Sequence, residues 1–307
     1  MNSETSKLIL LEAEKLGFEH CGFAPYEFLE QEAKYIDGWL KRGYNGSKKY
    51  LQDNFEQIID PSKILPGVQS VIVLLKSYYP PYLQPDYCAY KISKYAYGKD
   101  YHQVMKKKIS RLSNFIRKNF TNSHARSFVD SGRVLEKKWA VKAGLGWQGK
   151  NTLFIKPGEG SFFFIGVILT NLELDYNEPF AQDLCRNCSL CISNCPTGAL
   201  VKPYVLDARK CISYQTFEPG DEIPESFRGK MNNWIYGCDT CQDVCPHNRH
   251  PFVTTDNSFM PIQSIVNMTT DDWNDLNENN FDSVFEKSAI KRYPLKTLKR
   301  NIFFLEK

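Results

Sequence analysis

CRNCSLCISNCP, from Cys185 to Pro196, places four cysteines in the spacing C-x2-C-x2-C-x3-C-P. A second run, CDTCQDVCP from Cys238 to Pro246, carries Cys238, Cys241 and Cys245, and Cys211 stands between the two runs. Three cysteines two residues apart can wrap a tight loop around one corner of a cubane and leave backbone N–H groups for its sulfurs. The cysteine before proline leaves on a helix and reaches the other cluster. The spacing therefore assigns Cys185, Cys188, Cys191 and Cys245 to one [4Fe–4S] cluster, and Cys195, Cys211, Cys238 and Cys241 to a second. Structural zinc is the competing reading, but zinc ribbons use paired C-x2-C arms, not a run of three. Cys21 and Cys88 are read as ordinary thiols.

Outward from this small metal-organised segment, composition sets broad limits. The chain has 307 residues, 42% of them hydrophobic, which suits two compact units or one large unit with a small one. Its formal charge of +4 is mild and identifies no partner. Met1 to Phe18 is interrupted by charges and does not read as a secretory signal. The most apolar stretch, SFFFIGVILT from Ser161 to Thr170, falls short of the ~18 residues of a membrane span and fits a buried strand. No membrane association is expected. Ten cysteines without an export signal point to a reducing compartment, where clustered thiols bind metal; the expected localisation is cytoplasmic.

Ahead of the cysteines, the pattern predicts helices over Ser6–Leu16, Phe28–Leu40, Tyr101–Phe120 and Arg133–Ala143. Strands are predicted over Val68–Leu75, Arg126–Val129, Asn151–Ile155 and Phe162–Thr170. This alternation argues an α/β or α+β domain over residues 1–175. A ferredoxin-like domain carrying both clusters follows over 176–255, and a polar, helical C-terminal extension over 256–307. Two clusters in one small domain form an electron wire, and the preceding domain is the place for its terminus.

Three features of that front half bear on chemistry. FVDSG, around Asp130, puts a carboxylate at the end of a strand and before a helix, where it serves either a site or a helix N-cap. Gly144-Leu145-Gly146-Trp147-Gln148-Gly149 matches G-x-G-x-x-G, but it follows a helix and leads into a strand, the reverse of the dinucleotide fingerprint. A turn where a flat cofactor approaches backbone suits it better. Tyr95 to His102 is dense in aromatics and reads as a surface turn or as lining for a planar cofactor. Asp100-x-His102 invites comparison with D-x-H-x-x-G, but Met105 stands where the glycine should be, so histidine-ligated cobalamin is not expected.

Together these residues resemble the epoxyqueuosine reductases, which complete queuosine synthesis in bacterial tRNA. The likeness runs through Tyr95–His102, FVDSG, AGLGWQGKNTLFI (143–155), CISYQT (211–216), YGCDTCQDVCPHN (236–248), SAIKR (288–292) and Lys299-Arg300-Asn301. The resemblance implies a nitroreductase-like domain holding base-off cobalamin, with a relation to reductive dehalogenases. It implies Asp130 as proton donor and Tyr95, Ser213 and Asp239 near the corrinoid. The implied partners are a tRNA anticodon stem-loop as substrate and an external low-potential electron donor, for a monomer. Lys106, Lys107, Lys108 and Arg111, and the basic residues from Lys291 to Arg300, are the expected phosphate contacts. Reduction of an epoxide to an alkene takes two electrons and two protons, so the leaving oxygen needs an acid. For Asp130 to be that acid its pKa must be raised, as burial beside a corrinoid would do. The alternatives are another corrinoid reductase, acting on a halogenated compound or small epoxide, and a ferredoxin-like carrier.

Overall fold

Successive side chains of a strand point to opposite faces, and in SVIVLLKS, Ser70 to Ser77, both faces are apolar and buried. In the computed structural model, which describes residues 2–217, 220 and 222–306, this strand (β2) is central in a four-stranded sheet. The other strands are β1 (His20–Pro25), β3 (Ala125–Phe128) and β4 (Phe163–Thr170), in the order β1-β2-β4-β3. Every ladder is antiparallel, with Val71 opposite Leu169 and Val73 opposite Val167. The domain is thus α+β; helix–strand alternation alone does not distinguish this from a parallel sheet.

The two faces build two cores. Ile72 and Leu74 meet helix α1 (Asn2–Lys15) through Ile9 and Ala13, and a long helix through Met105, Ile109, Leu112 and Ile116. Val71, Val73 and Leu75 meet Trp139 and Ala140 of a short helix, with Leu29, Ile64 and Leu65 beside them. With Glu30–Lys41 as α2, the long helix is α3 (Tyr101–Asn119) and the short one α4 (Glu136–Lys142). Gly166 lets α3 press on β4, since a Cβ there would lie 2.1 Å from Cδ1 of Ile109.

Two expectations are corrected in length. The strand expected over 151–155 is reduced to Phe154–Ile155, which pairs with Trp147–Gln148. The helix expected from 133 begins at Glu136.

The cluster segment is joined to the front half by backbone. Lys91–Ile92 pairs in parallel with Trp234–Tyr236, and Ser93 N–H donates to Tyr236 O at 2.7 Å. A third core then draws on Ile92, Ala96 and Tyr97, on Ile235 and Tyr236, and on C-terminal residues including Trp273, Phe285 and Ile302. Helices α5 (Ile212–Phe217) and α6 (Leu295–Glu306) lie against this strand. Asn301, 1% exposed, fixes α6: its amide donates to Thr216 O at 3.0 Å and Ile235 O at 2.8 Å. No helix among the described residues is long and apolar enough to cross a membrane.

Candidate functional site

The eight clustered thiols lie in two groups. Cys185, Cys188, Cys191 and Cys245 line one small hollow with Lys150, Asn151 and His247. Cys195, Cys211, Cys238 and Cys241 line a second cavity of about 320 Å³. N–H donors face the sulfurs, with Trp147 Nε1 3.5 Å from Cys185 Sγ and Ala199 N 3.3 Å from Cys195 Sγ. Burial and neighbouring thiolates push Cys191 and Cys245 up, and burial carries Cys238 up to about 12. Such crowded thiols ionise once a cationic centre sits among them.

The glycine-rich segment 144–151 serves these hollows. Trp147 packs with Ile155, Cys185 and Cys245. Asn151, 4% exposed, lines both hollows and donates to Cys241 O at 3.4 Å. The structure gives this turn to the clusters' surroundings, not to a dinucleotide.

Beside the second hollow opens a cavity of about 650 Å³, walled by Tyr95, Tyr101, His102, Asp130, Ser213 and Arg292 among others. Cys211, Ser213 and Tyr95 line both, so the second thiol set borders directly on this space. A third cavity of about 300 Å³ adjoins through Tyr95, Tyr101 and Asp130 and reaches Glu136 and Lys137.

Asp130 lies two residues beyond β3 with φ +45, followed by Gly132 at φ +65. It does not cap α4, which begins at Glu136 after Leu135 with no side-chain cap. Its side chain is 65% exposed to the cavity. Tyr101 Oη donates to Asp130 Oδ2 in a short hydrogen bond, and His102 Nε2 lies 3.4 Å from the same oxygen. The hydrogen bond with His102, above all, holds Asp130 down to about 2 against desolvation, with Tyr101 and the Lys48 charge helping. In the open cavity Asp130 is a carboxylate; the raised pKa expected of it belongs to burial beside a corrinoid. The elevated carboxyl is Glu136, pushed up to about 7 by burial and then by the charge of Asp130. It accepts from the backbone N–H of Ser131, and its Oε1 is buried without a hydrogen-bond partner.

The remaining expected residues fall in different places. Tyr95 is central, its ring edge-on to Tyr101 at 5.9 Å. Asp239 lines the second thiol cavity, but its carboxylate is engaged: Oδ1 accepts from Ser93 Oγ at 2.5 Å and Gln242 Nε2 at 3.0 Å, and Oδ2 from Lys94 N–H at 2.8 Å. Arg300 donates to Gln215 O at 2.6 Å and Gly220 O at 2.7 Å, and Lys299 to Asn274 O at 2.7 Å; both serve the fold. Lys108 pairs with Asp256 at 3.0 Å, while Lys106, Lys107 and Arg111 are exposed on α3. Sequence reasoning gave no role to Lys48 and Glu136. For His102 it had the Asp100-x-His102 spacing and the aromatic Tyr95–His102 stretch, but no role.

Two family models match the chain: a 4Fe–4S double cluster binding domain over residues 184–248, and epoxyqueuosine reductase QueG, DUF1730, over 59–131. The epoxyqueuosine reductase of Cellulophaga algicola is 45% identical over 301 residues, covering 98% of each chain.

The chain belongs to the epoxyqueuosine reductase family.

Solved family structures share the fold. One epoxyqueuosine reductase, crystallised with an epoxyqueuosine-modified tRNA-Tyr stem loop, superposes with a TM-score of 0.89 at 26% identity, over 98% of this chain and 80% of that one. The Bacillus subtilis enzyme, in a form with its catalytic aspartate loop swung out of the active site, gives 0.90 at 26% identity, over 98% and 81%.

Proposed function

We propose that this chain reduces epoxyqueuosine to queuosine in the anticodon loop of a tRNA. The observation that carries the reading is the shared wall of the two cavities: Cys211 and Ser213 line both the second thiol cavity and the space headed by Asp130. Cys195, Cys211, Cys238 and Cys241 would hold a cluster on that wall, where it would supply electrons to the space. Cys185, Cys188, Cys191 and Cys245 would hold the other cluster, which would supply electron transfer from an external low-potential donor. A bare ferredoxin would have no use for a cavity of about 650 Å³ walled by ionisable groups.

The residues also fit base-off cobalamin. Tyr95 stands where three cavities adjoin, giving room for a broad planar group between the thiols of the second set and Asp130. Tyr95 and Ser213 would line it, and Asp239 would act through the Ser93–Lys94 segment that it holds. When bound, cobalamin supplies the low-potential cobalt chemistry that opens the carbon–oxygen bond. The chain supplies the rest. Asp130 faces the leaving oxygen, Tyr101 and His102 orient Asp130, and Lys48 and Arg292 bring positive charge to the wall for a loop nucleotide and its phosphates. Lys106, Lys107 and Arg111 offer further phosphate contacts. In this reading residues 1–175 form the nitroreductase-like reacting half, 176–255 carry the clusters, 256–307 close the cavity, and a monomer works in the cytoplasm.

The test is anaerobic reconstitution with iron, sulfide and cobalamin, then reduction in the presence of an epoxyqueuosine-modified stem loop. Mass spectrometry of the nucleosides should show loss of one oxygen from the base and formation of queuosine. Protein loaded with both clusters and cobalamin that left epoxyqueuosine intact would refute the reading.

A further inference from the structure

We propose that His102 is the proton store of this site, a positioning residue that delivers its Nε2 proton to Asp130 as the epoxide oxygen leaves. The inference deepens the proposed reaction and rests on it for the identity of the leaving oxygen.

The argument begins with geometry. His102 Nδ1 lies 2.8 Å from Asp100 Oδ1, and His102 Nε2 lies 3.4 Å from Asp130 Oδ2. A neutral imidazole has one donor and one acceptor nitrogen; only the imidazolium donates from both. A ring placed between two carboxylates therefore carries two protons. Asp100 is built to keep the ring there. It is 6% exposed, caps α3 by accepting the His102 backbone N–H at 3.0 Å, and donates its own N–H to Lys287 O at 2.7 Å.

The charges facing the ring decide its state. Asp100 and Asp130 favour the cation, and Arg292, 3.9 Å from Asp100 Oδ2, opposes it. Tyr101 covers one face of the ring, with centroids 3.9 Å apart; beyond Asp130 stand Lys48, whose charge lowers Asp130, and Glu136, which the charge of Asp130 raises. The net direction is upward: burial would lower His102, and the hydrogen bonds to Asp100 and Asp130 outweigh it.

Asp130 thus begins as an anion and has no proton of its own to give. When the carbon–oxygen bond breaks, the oxygen takes a proton from Asp130, and Asp130 takes one from Nε2 of His102. The imidazole is left neutral, its Nδ1 keeping its hydrogen and donating it to Asp100 Oδ1, and it is recharged from solvent through the open cavity. The second proton comes from the same solvent. The two electrons are those delivered through the clusters, and the oxygen leaves as water. Tyr101 steadies the carboxylate by its own hydrogen bond.

Two measurements test this. In the first, the ring nitrogens of cluster-loaded protein are followed by NMR against pH. The chain has five histidines, and His102→Gln identifies the signal. His102 should titrate above the ordinary value of about 6.5, and its midpoint should fall by about one unit or more in Asp130→Asn. A ring that is neutral below that value, or one indifferent to Asp130→Asn, overturns the proposal.

In the second, single-turnover conversion of the stem loop is followed against pH. The wild-type rate should fall as pH rises through the His102 midpoint. His102→Gln should lose this limb and be slower by about 100-fold, with stem-loop affinity changed less than about twofold. Glu136→Gln, which removes the other group titrating in this range, should leave the limb in place. A limb that persists in His102→Gln overturns the proposal. If wild-type protein converts nothing, the reaction reading fails, and the NMR titration still decides whether His102 holds the proton.

Discussion

Glu136 shows how one buried group can tie stability to pH. Its carboxyl is raised from 4.5 to about 7, so the folded state holds the proton more tightly than the unfolded chain. The stabilising effect is fully present below about pH 4.5 and is lost as pH rises through about 7. Glu136→Gln removes this loss while keeping an oxygen for the Ser131 N–H. Relative to wild type, the variant should gain stability between pH 4.5 and 8.5, by up to about 3 kcal/mol, read from urea midpoints of cluster-loaded protein. An equal difference at both pH values would refute an ionisation buried at this position. Asp130 was legible as a residue of interest because FVDSG puts a carboxylate after an apolar strand. Its low pKa was not, because that depends on Tyr101 and His102, nearly 30 positions earlier in the chain.

At the scale of elements, the loop from β3 to α4 is shaped by its glycine. Gly132 has φ +65, and a Cβ there would lie 2.4 Å from the ring of Tyr50. Gly132→Ala strains the backbone and displaces Tyr50, so Asp130 should lose register with His102 and Tyr101. Turnover should drop by at least about tenfold, with a stability loss of about 1 kcal/mol; unchanged turnover would mean that the loop tolerates the shift. Helix α6 offers the opposite case. Asn301→Ala leaves the carbonyls of Thr216 and Ile235 buried without their donor and should cost about 3 kcal/mol by denaturant melt, while stem-loop affinity in folded protein should hold. The long amphipathic helix and the apolar strands were readable from periodicity, and SFFFIGVILT became β4. The edge strand β1, HCGFAP, was not: it is short, contains glycine and proline, and lacks alternation, so its pairing with β2 decides its state. The two-residue pairing of Lys91–Ile92 with Trp234–Tyr236 spans over 140 positions and leaves no local trace.

Over the whole molecule, the cysteines were the most legible feature, since ligand spacing is local and chemically restrictive. Cys211 was read as replacing the missing member of a second motif with only three cysteines, and it lines one cavity with Cys195, Cys238 and Cys241. Cys211→Ser should reduce iron from about eight to about four atoms per chain, with the other cluster's spectrum retained. Retention of all the iron would remove Cys211 from the ligand set. What the sequence could not reveal is how its parts share an interior, because the third core joins residues 90–97, 235–236 and 265–302. That common interior has a kinetic corollary. The thiol sets and the Asp130 cavity are welded into one block, so the path for charge has a fixed length and needs no docking swing. Internal electron delivery in this protein should therefore be indifferent to solvent viscosity, and only the arrival of donor and RNA should slow in glycerol.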